Sequence, residues 1–245
     1  MPAAQLEFLA SLIATKVPLV VCTISGGAVD VSLAQEHADA VIAMYTGGME
    51  AGAALADVIF GAVNPSGALA ATVYKADWAN ASDFLSMSMR RPPGRTHRYL
   101  QPEAVAAHVL YPFGFGLSFS NWSARVGALH PAASISAAEL AAGANVTVDV
   151  TLRCDSGPSG SRIAWIMLTR RAADPAEAWP RQWLPVHGFA KLHRVAPGGS
   201  ATATLTITAR DLSRWDEATH GFKVHPGTFG LQARDAAAPI TLTVT

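Results

Sequence analysis

The stretch Asn145-Val146-Thr147-Val148-Asp149-Val150-Thr151-Leu152-Arg153 alternates apolar and polar side chains without a break. A period of two puts Val146, Val148, Val150 and Leu152 on one face of a strand and the polar residues on the other. One buried and one wet face is the pattern of an antiparallel sheet. Towards the C-terminus, residues 162–169, 201–208, 228–233 and 240–245 also read as strands. Turn signals such as Pro197-Gly198-Gly199 and Pro226-Gly227 separate them. Short strands punctuated this way indicate an all-β sandwich.

The N-terminal side has a different grammar. Residues 17–24 form a continuous apolar, β-branched run, the pattern of a strand buried on both faces of a parallel sheet. Ser25-Gly26-Gly27 breaks it, residues 40–45 repeat it, and Thr46-Gly47-Gly48 ends that second run as a tight turn. Before the first run, Leu6, Leu9, Leu12 and Ile13 mark one stripe of an amphipathic helix. Residues 50–60 read as a helix with Leu55, Val58 and Ile59 in period and Glu50 near its positive end. Gly61 and the turn Asn64-Pro65-Ser66-Gly67 stop it. Alternating strand and helix suggests an α/β layer. Residues 76–116 show little periodicity; within them 87–95, too polar and proline-broken for a core element, read as a long surface loop, and 111–116 as an aromatic, glycine-rich bend. The expected fold class is α/β plus all-β: a partial α/β sandwich with a parallel sheet over residues 1–120, then an immunoglobulin-like β-sandwich over 121–245.

Composition narrows the function. The 245 residues carry 18 basic and 18 acidic side chains, and half are hydrophobic. That balance suits a packed globular chain and argues against a strongly basic nucleic-acid or membrane-surface binder. The apolar runs fall short of the roughly 20 residues that span a bilayer, so no membrane span is expected. No basic segment followed by an apolar core precedes the first helix, so no signal peptide is expected. Cys22 and Cys154 cannot form a disulfide framework, and Cys22, lying in a strand run, is expected to be buried and inert.

No catalytic constellation stands intact. There is no G-x-S-x-G elbow, phosphate loop or helical zinc spacing, and neither a metal nor another cofactor is expected. The acidic residues Asp30, Glu50, Asp57, Asp77 and Asp83 show no spacing that pairs two of them across a glycosidic bond. Arg90, Arg91, Arg95 and Arg98 cluster beside His97 and Tyr99, and are read as a solvated loop, or as arginines bonded to carboxylates and backbone, rather than as a nucleic-acid site. Trp78, Trp122, Trp165, Trp179, Trp183 and Trp215 are mostly packing residues, with one or two at most offering a surface on which a sugar could stack. Three N-glycosylation triplets begin at Asn80, Asn121 and Asn145.

Several blocks, in order, resemble the C-terminal part of glycoside hydrolase family 3, most closely its β-xylosidase / α-arabinofuranosidase branch. Met1-Pro2-Ala3-Ala4-Gln5-Leu6 is similar to the family's Leu-Pro-Gly-x-Gln helix start. Ser25-Gly26-Gly27-Ala28-Val29-Asp30-Val31 is similar to its Ser-Gly-Gly-Pro-Val/Ile-Asp-Val strand end. Ala54-Leu55-Ala56-Asp57-Val58-Ile59-Phe60-Gly61 through Gly67 resembles its helix and turn. Met89-Arg90 and Pro93-Gly94-Arg95-Thr96-His97-Arg98-Tyr99 resemble the Met-Arg…Pro-Gly-Arg-Thr-Tyr-Arg-Tyr block of the xylosidase branch. Tyr111-Pro112-Phe113-Gly114-Phe115-Gly116-Leu117-Ser118-Phe119 resembles the signature before a fibronectin-III-like domain. Gly188-Phe189-Ala190-Lys191, Pro197-Gly198-Gly199-Ser200 and Asp211-Leu212-Ser213-Arg214-Trp215-Asp216 match that last domain. Three departures stand out: Thr46 replaces the tyrosine and Gly47 the proline of a Tyr-Pro-Gly segment, Ala70 replaces the proline of a Leu-Pro-x-Thr segment, and His97 replaces a tyrosine.

The resemblance implies a retaining glycosidase acting on xylan or related hemicellulose, with an aspartate nucleophile in a barrel and a glutamate acid/base shortly before the segment matching Met1. Both map to no position here, and the first strands of the α/β sandwich are absent too. The expectation is therefore no catalytic residue and no activity for the isolated chain. A xylo-oligosaccharide or related glycoside would be met through the absent barrel, and the family's location is extracellular. Met89, Arg90 and Arg95, in the loop with the xylosidase-branch block, are the candidates nearest substrate. The rival expectation is a non-catalytic β-sandwich that binds carbohydrate or protein.

Overall fold

The structure, a computed structural model, describes residues 1–89, 91–171, 183–185, 189–216 and 218–245. The chain divides into two compact units. The first comprises Met1–Val63, Ala68–Thr96 and Leu100–Gly116; the second comprises Asn64–Gly67, His97–Tyr99 and Leu117–Thr245.

The first unit opens with α1 (Ala3–Ala14), whose leading amides from Gln5 and Leu6 donate to the Pro2 carbonyl. Strand β1 (Val20–Thr23) is followed by α2 (Ser32–His37) and β2 (Ala40–Ala43), and the two strands pair in parallel with Val21 opposite Val41. Leu9 of α1, Val31 and Ala34 form the buried centre, against which Ile13, Val21, Val41 and Leu110 pack. Asp39 closes the entry to β1 by accepting the Leu19 amide at 2.7 Å.

Strand β1 corrects one expectation. Its burial alternates, with Val20 and Cys22 exposed and Val21 and Thr23 half-buried. Among the described residues β1 and β2 pair only with each other. One face therefore meets α1 and the other lies open, so an apolar run does not here mean burial on both sides. Cys22, expected to be buried, is exposed for the same reason. A groove beside β1 is lined by Gln5, Phe8, Leu9 and Leu12 of α1 and by Val20, Val21 and Cys22.

Helix α3 (Ala51–Ile59) forms as expected, yet none of its residues is fully buried and Glu50 makes no side-chain cap. Strand β3 (Val73–Tyr74), α4 (Trp78–Ala81), α5 (Thr96–Tyr99), α6 (Pro102–His108) and β4 (Val109–Tyr111) follow. The last two lie in the stretch 76–116, where the sequence shows little periodicity. Pro102 sits in the first turn of α6, where its missing N–H costs nothing. The alanines of that helix hide its period, and β4 pairs antiparallel with β3. The bend at 111–116 is packed: Tyr111 stacks on Phe115 at 4.8 Å, and Leu69 exchanges backbone bonds with Gly114 and Phe115.

The second unit is a β-sandwich. In chain order it holds β5 (Asn121–His130), β6 (Ser134–Ile135), α7 (Ala137–Ala141), β7 (Val146–Ser156), β8 (Gly160–Ala164), β9 (Ile166–Arg171) and β10 (Trp183–Pro185). Then come β11 (Ala190–Val195), β12 (Ser200–Ile207), α8 (Ala209–Leu212), β13 (Ser213–Asp216), β14 (Gly221–Val224), β15 (Gly227–Ala233) and β16 (Ile240–Val244). One sheet runs β12-β7-β5 and another β10-β9-β15-β16-β6. The alternating stretch behaves as its sequence predicts: Val146, Val148, Val150 and Leu152 are fully buried, in one cluster with Ile166, Leu168, Phe229, Leu231 and Leu242. The single strand expected over 162–169 is two strands in different sheets, β8 paired with β11 and β9 with β15.

Asn64 belongs to this unit and is saturated. Its Oδ1 accepts from Ser118 Oγ and the Phe119 amide, both at 2.9 Å, and its Nδ2 donates to Ser120 Oγ at 2.8 Å and the Ser159 carbonyl at 3.3 Å. These four bonds use the full capacity of the amide. Two glycines make room for this arrangement. A Cβ at Gly160 would lie 2.7 Å from Asn64 Nδ2, and one at Gly157 would lie 2.5 Å from the Phe119 carbonyl.

Candidate functional site

Residues up to Thr96 of the loop nominated by the sequence lie in the first unit and are organised by Asp83. Its carboxylate takes Arg91 Nη1 at 3.1 Å and the Leu85 amide at 3.1 Å, and its carbonyl accepts from the Ser86 amide and from Arg95 Nη2. The loop closes on itself through the Arg95 amide, which donates to the Met89 carbonyl at 3.0 Å, and through Gln101, whose amide donates to Pro93. Two of the three candidates, Met89 and Arg95, are thus brought together. Arg90 lies outside the described residues, as do the side chains of His97 and Arg98.

This geometry holds Arg95 against Asp83, and turns Phe84, Leu85 and Met87 outward, each at least 86% exposed. The loop therefore presents an apolar rim over a base of guanidinium and carboxylate. Asp83, in the sequence one carboxylate among five with no pairing, is the anchor. Its signal in the sequence was the turn-forming aspartate eight residues before Arg91, a spacing that carries no motif.

The carboxylates in the described residues are largely engaged in holding structure. Asp30 accepts from the Ser32 amide and hydroxyl and from the Ala76 amide. Burial pushes its carboxyl up, and these hydrogen bonds outweigh burial and leave it below the ordinary value. Asp77 lies 3.0 Å from His108 Nδ1, Asp149 accepts from Thr204, and Asp211 receives the Thr208 amide and hydroxyl. Asp216 receives Thr219, and Asp235 receives both Nε and Nη2 of Arg162. Glu139 caps α7 by accepting from Ser136, whose hydrogen bonds lower its carboxyl. Among the described residues no group of three or more His, Cys, Asp or Glu could hold a metal ion.

The tryptophans divide by environment. Trp78 stacks on Tyr74 at 4.8 Å with His108 tilted 5.6 Å away. Trp122 donates to Ser118 Oγ at 3.4 Å, and Trp165 is half-buried. Trp215 is exposed and meets the Phe222 ring edge-on. Trp179 and the Trp183 side chain lie outside the described residues.

Comparison with known proteins places this architecture. The glycosyl hydrolase family 3 C-terminal domain matches residues 1–119, and a fibronectin type III-like domain matches residues 172–237. A xylan 1,4-beta-xylosidase of Xylanibacter ruminicola is 33% identical over 94% of this chain and 24% of its own length. A beta-glucosidase of Rhizobium radiobacter is 31% identical over all of this chain and 29% of its own length. Among solved structures, the beta-D-glucoside glucohydrolase of Trichoderma reesei is 28% identical with a TM-score of 0.77, covering 98% of this chain and 35% of that one. A family 3 exo-beta-xylosidase bound to a xylobiose aziridine probe shares the fold with a TM-score of 0.83. The chain spans about a quarter to a third of the length of these curated relatives. Two domain matches in order, with relatives aligned along nearly the whole chain, show that it belongs to glycosyl hydrolase family 3 through that family's C-terminal region, an α/β domain followed by a fibronectin type III-like domain.

Proposed function

We propose that this chain serves as the C-terminal part of a β-xylosidase-like glycosidase and does not itself carry the catalytic pair. The carrying observation is the alignment of 94% of the chain with only 24% of a xylan 1,4-beta-xylosidase. The engagement of Asp30, Asp83, Asp211, Asp216, Asp235 and Glu139 in caps, turns and ion pairs is in keeping with this reading, since glycoside hydrolysis needs two carboxyl groups flanking one bond. The substrate class under this reading is a β-xyloside or xylo-oligosaccharide. Relatives named as beta-glucosidases support a β-glucoside as the second substrate class. Met89, Arg90 and Arg95 remain the proposed substrate-proximal residues. In this role the Asp83-anchored loop supplies a shaped wall rather than a reacting group. A secreted location completes the proposal, in keeping with exposed Asn80, Asn121 and Asn145 at the three sequons.

A chimera tests it. The C-terminal region of the X. ruminicola xylosidase is replaced by these 245 residues, and hydrolysis of 4-nitrophenyl β-xyloside is measured. Activity is expected in the chimera, with a raised KM on Arg95→Ala. A folded chimera without turnover would contradict the role.

A further inference from the structure

We infer that the β13–β14 hairpin of the fibronectin-like unit carries a glycan-binding platform, with the indole of Trp215 as the surface on which a pyranose ring stacks. The proposal takes only its ligand class from the reading above.

The hairpin register sets Trp215 opposite Phe222 and Ser213 opposite Val224. Side chains two apart share a face, so Trp215, Phe222, Ser213 and Val224 project the same way. Val224 packs on the sandwich core. The other end of that face runs past the core into solvent, leaving Trp215 48% and Phe222 53% exposed.

These rings are held, not loose. The Phe222 ring meets Trp215 at 5.4 Å and 76°, an edge-to-face contact. The guanidinium of Arg210 lies over Phe222 with its carbon 3.3 Å from the ring centre. Arg210 itself is placed by α8, which Asp211 caps through Thr208. Phe222 is thereby occupied, and the open aromatic surface is that of Trp215. Its orientation is fixed during folding, so little freedom is lost on binding.

The chemistry fits a sugar. A β-linked pyranose with equatorial hydroxyls presents axial C–H groups on one face, and these carry the partial positive charge that the electron-rich face of an indole attracts. The guanidinium of Arg210 offers N–H donors beside the ring for hydroxyl oxygens. Two rings and one guanidinium are too small a patch for a protein partner, which needs on the order of 1,000 Å². A single sugar unit needs only one ring face.

The test titrates the whole chain with xylohexaose and with cellohexaose, following intrinsic fluorescence, and runs it through gels containing xylan. Saturable binding at millimolar ligand or below is expected. Trp215→Ala weakens it at least tenfold, Arg210→Ala about threefold, and Trp215→Phe only slightly. Phe189→Ala, at another exposed aromatic of the same unit, leaves it unchanged. Trp215→Phe also keeps the hairpin packed, so a melting curve matching the parent separates stacking from folding. Binding of the cello-oligosaccharide alone keeps the platform and removes the xyloside assignment. No binding of either sugar, equal binding by Trp215→Ala, or capture of a protein in place of sugar would overturn the inference.

Discussion

Asn64 Nδ2 lies 2.8 Å from Ser120 Oγ, fifty-six positions away in the chain. The turn that presents Asn64 thus belongs to the β-sandwich unit, although it follows a helix of the α/β unit in sequence. Ser120 is itself buried and donates onward to the Pro158 carbonyl, so the amide sits in a small closed network.

Replacing Asn64 with Ala strands the donors of Ser118 and Phe119 and removes both Nδ2 bonds. Leaving buried polar groups unmet costs about 1–3 kcal/mol. Asn64→Asp is expected to cost a similar amount, since it keeps the acceptor and loses both donors. Urea unfolding of the full chain measures this; a midpoint unchanged by both substitutions would refute it.

Arg162 is buried and pairs with Asp235 at the surface, with Nη2 2.6 Å and Nε 3.0 Å from one carboxylate oxygen. Removing Asp235 would leave the buried guanidinium short of its acceptor, at a cost of about 1–3 kcal/mol once solvent at the exposed carboxylate is allowed for. Asp235→Leu is therefore expected to lower the melting temperature of the sandwich, and Arg162→Met/Asp235→Leu to recover part of the loss. A double variant no better than the single one would show that packing, not charge, holds the site.

Asp30 gives the α/β unit an acid-sensitive joint. Burial raises its carboxyl pKa, and the bonds from Ser32 and Ala76 bring it below the ordinary 3.8. A group with a depressed folded value stabilises the fold above its unfolded value and loses that contribution as pH falls through the folded one. Melting of the first unit is expected to decline below about pH 4, and Asp30→Asn to flatten that decline. Parallel curves for the two proteins from pH 5 to 2.5 would contradict this.

Asp83→Ala removes the carboxylate that holds Arg91 and the Leu85 amide without touching the core, and leaves the Arg95 bond to the carbonyl of residue 83 in place. An exposed ion pair is worth only about 0.2–1 kcal/mol, so global stability should barely move. Local opening should rise instead, seen as tryptic cleavage after Arg95 accelerated a fewfold. Unchanged cleavage would mean that the loop's backbone bonds suffice.

Much of the sandwich was legible because β7 exposes one face and buries the other, so its alternation states its environment outright. Residues 17–24 were not legible in this way. Their apolarity records a preference for burial, while the neighbours that grant it are a tertiary fact, and here only one face has them. Helix α6 escaped notice because alanine contributes helix propensity without an apolar stripe. The anchor Asp83 and the saturated Asn64 depend on partners brought close by folding. Met89 and Arg95 were legible as neighbours through a resemblance, whereas the outward turn of Phe84, Leu85 and Met87 was not. Trp215 was legible only as one of six tryptophans, and its exposure follows from a hairpin overhanging the core.

The central claim is that glycoside hydrolysis by this family's chemistry requires a carboxylate pair outside these residues. The direct measurement is hydrolysis of 4-nitrophenyl β-xyloside by the purified 245-residue chain. The account predicts a rate equal to that of the heat-denatured control. Turnover that co-purifies with the chain and disappears on substituting one of its own carboxylates would contradict it.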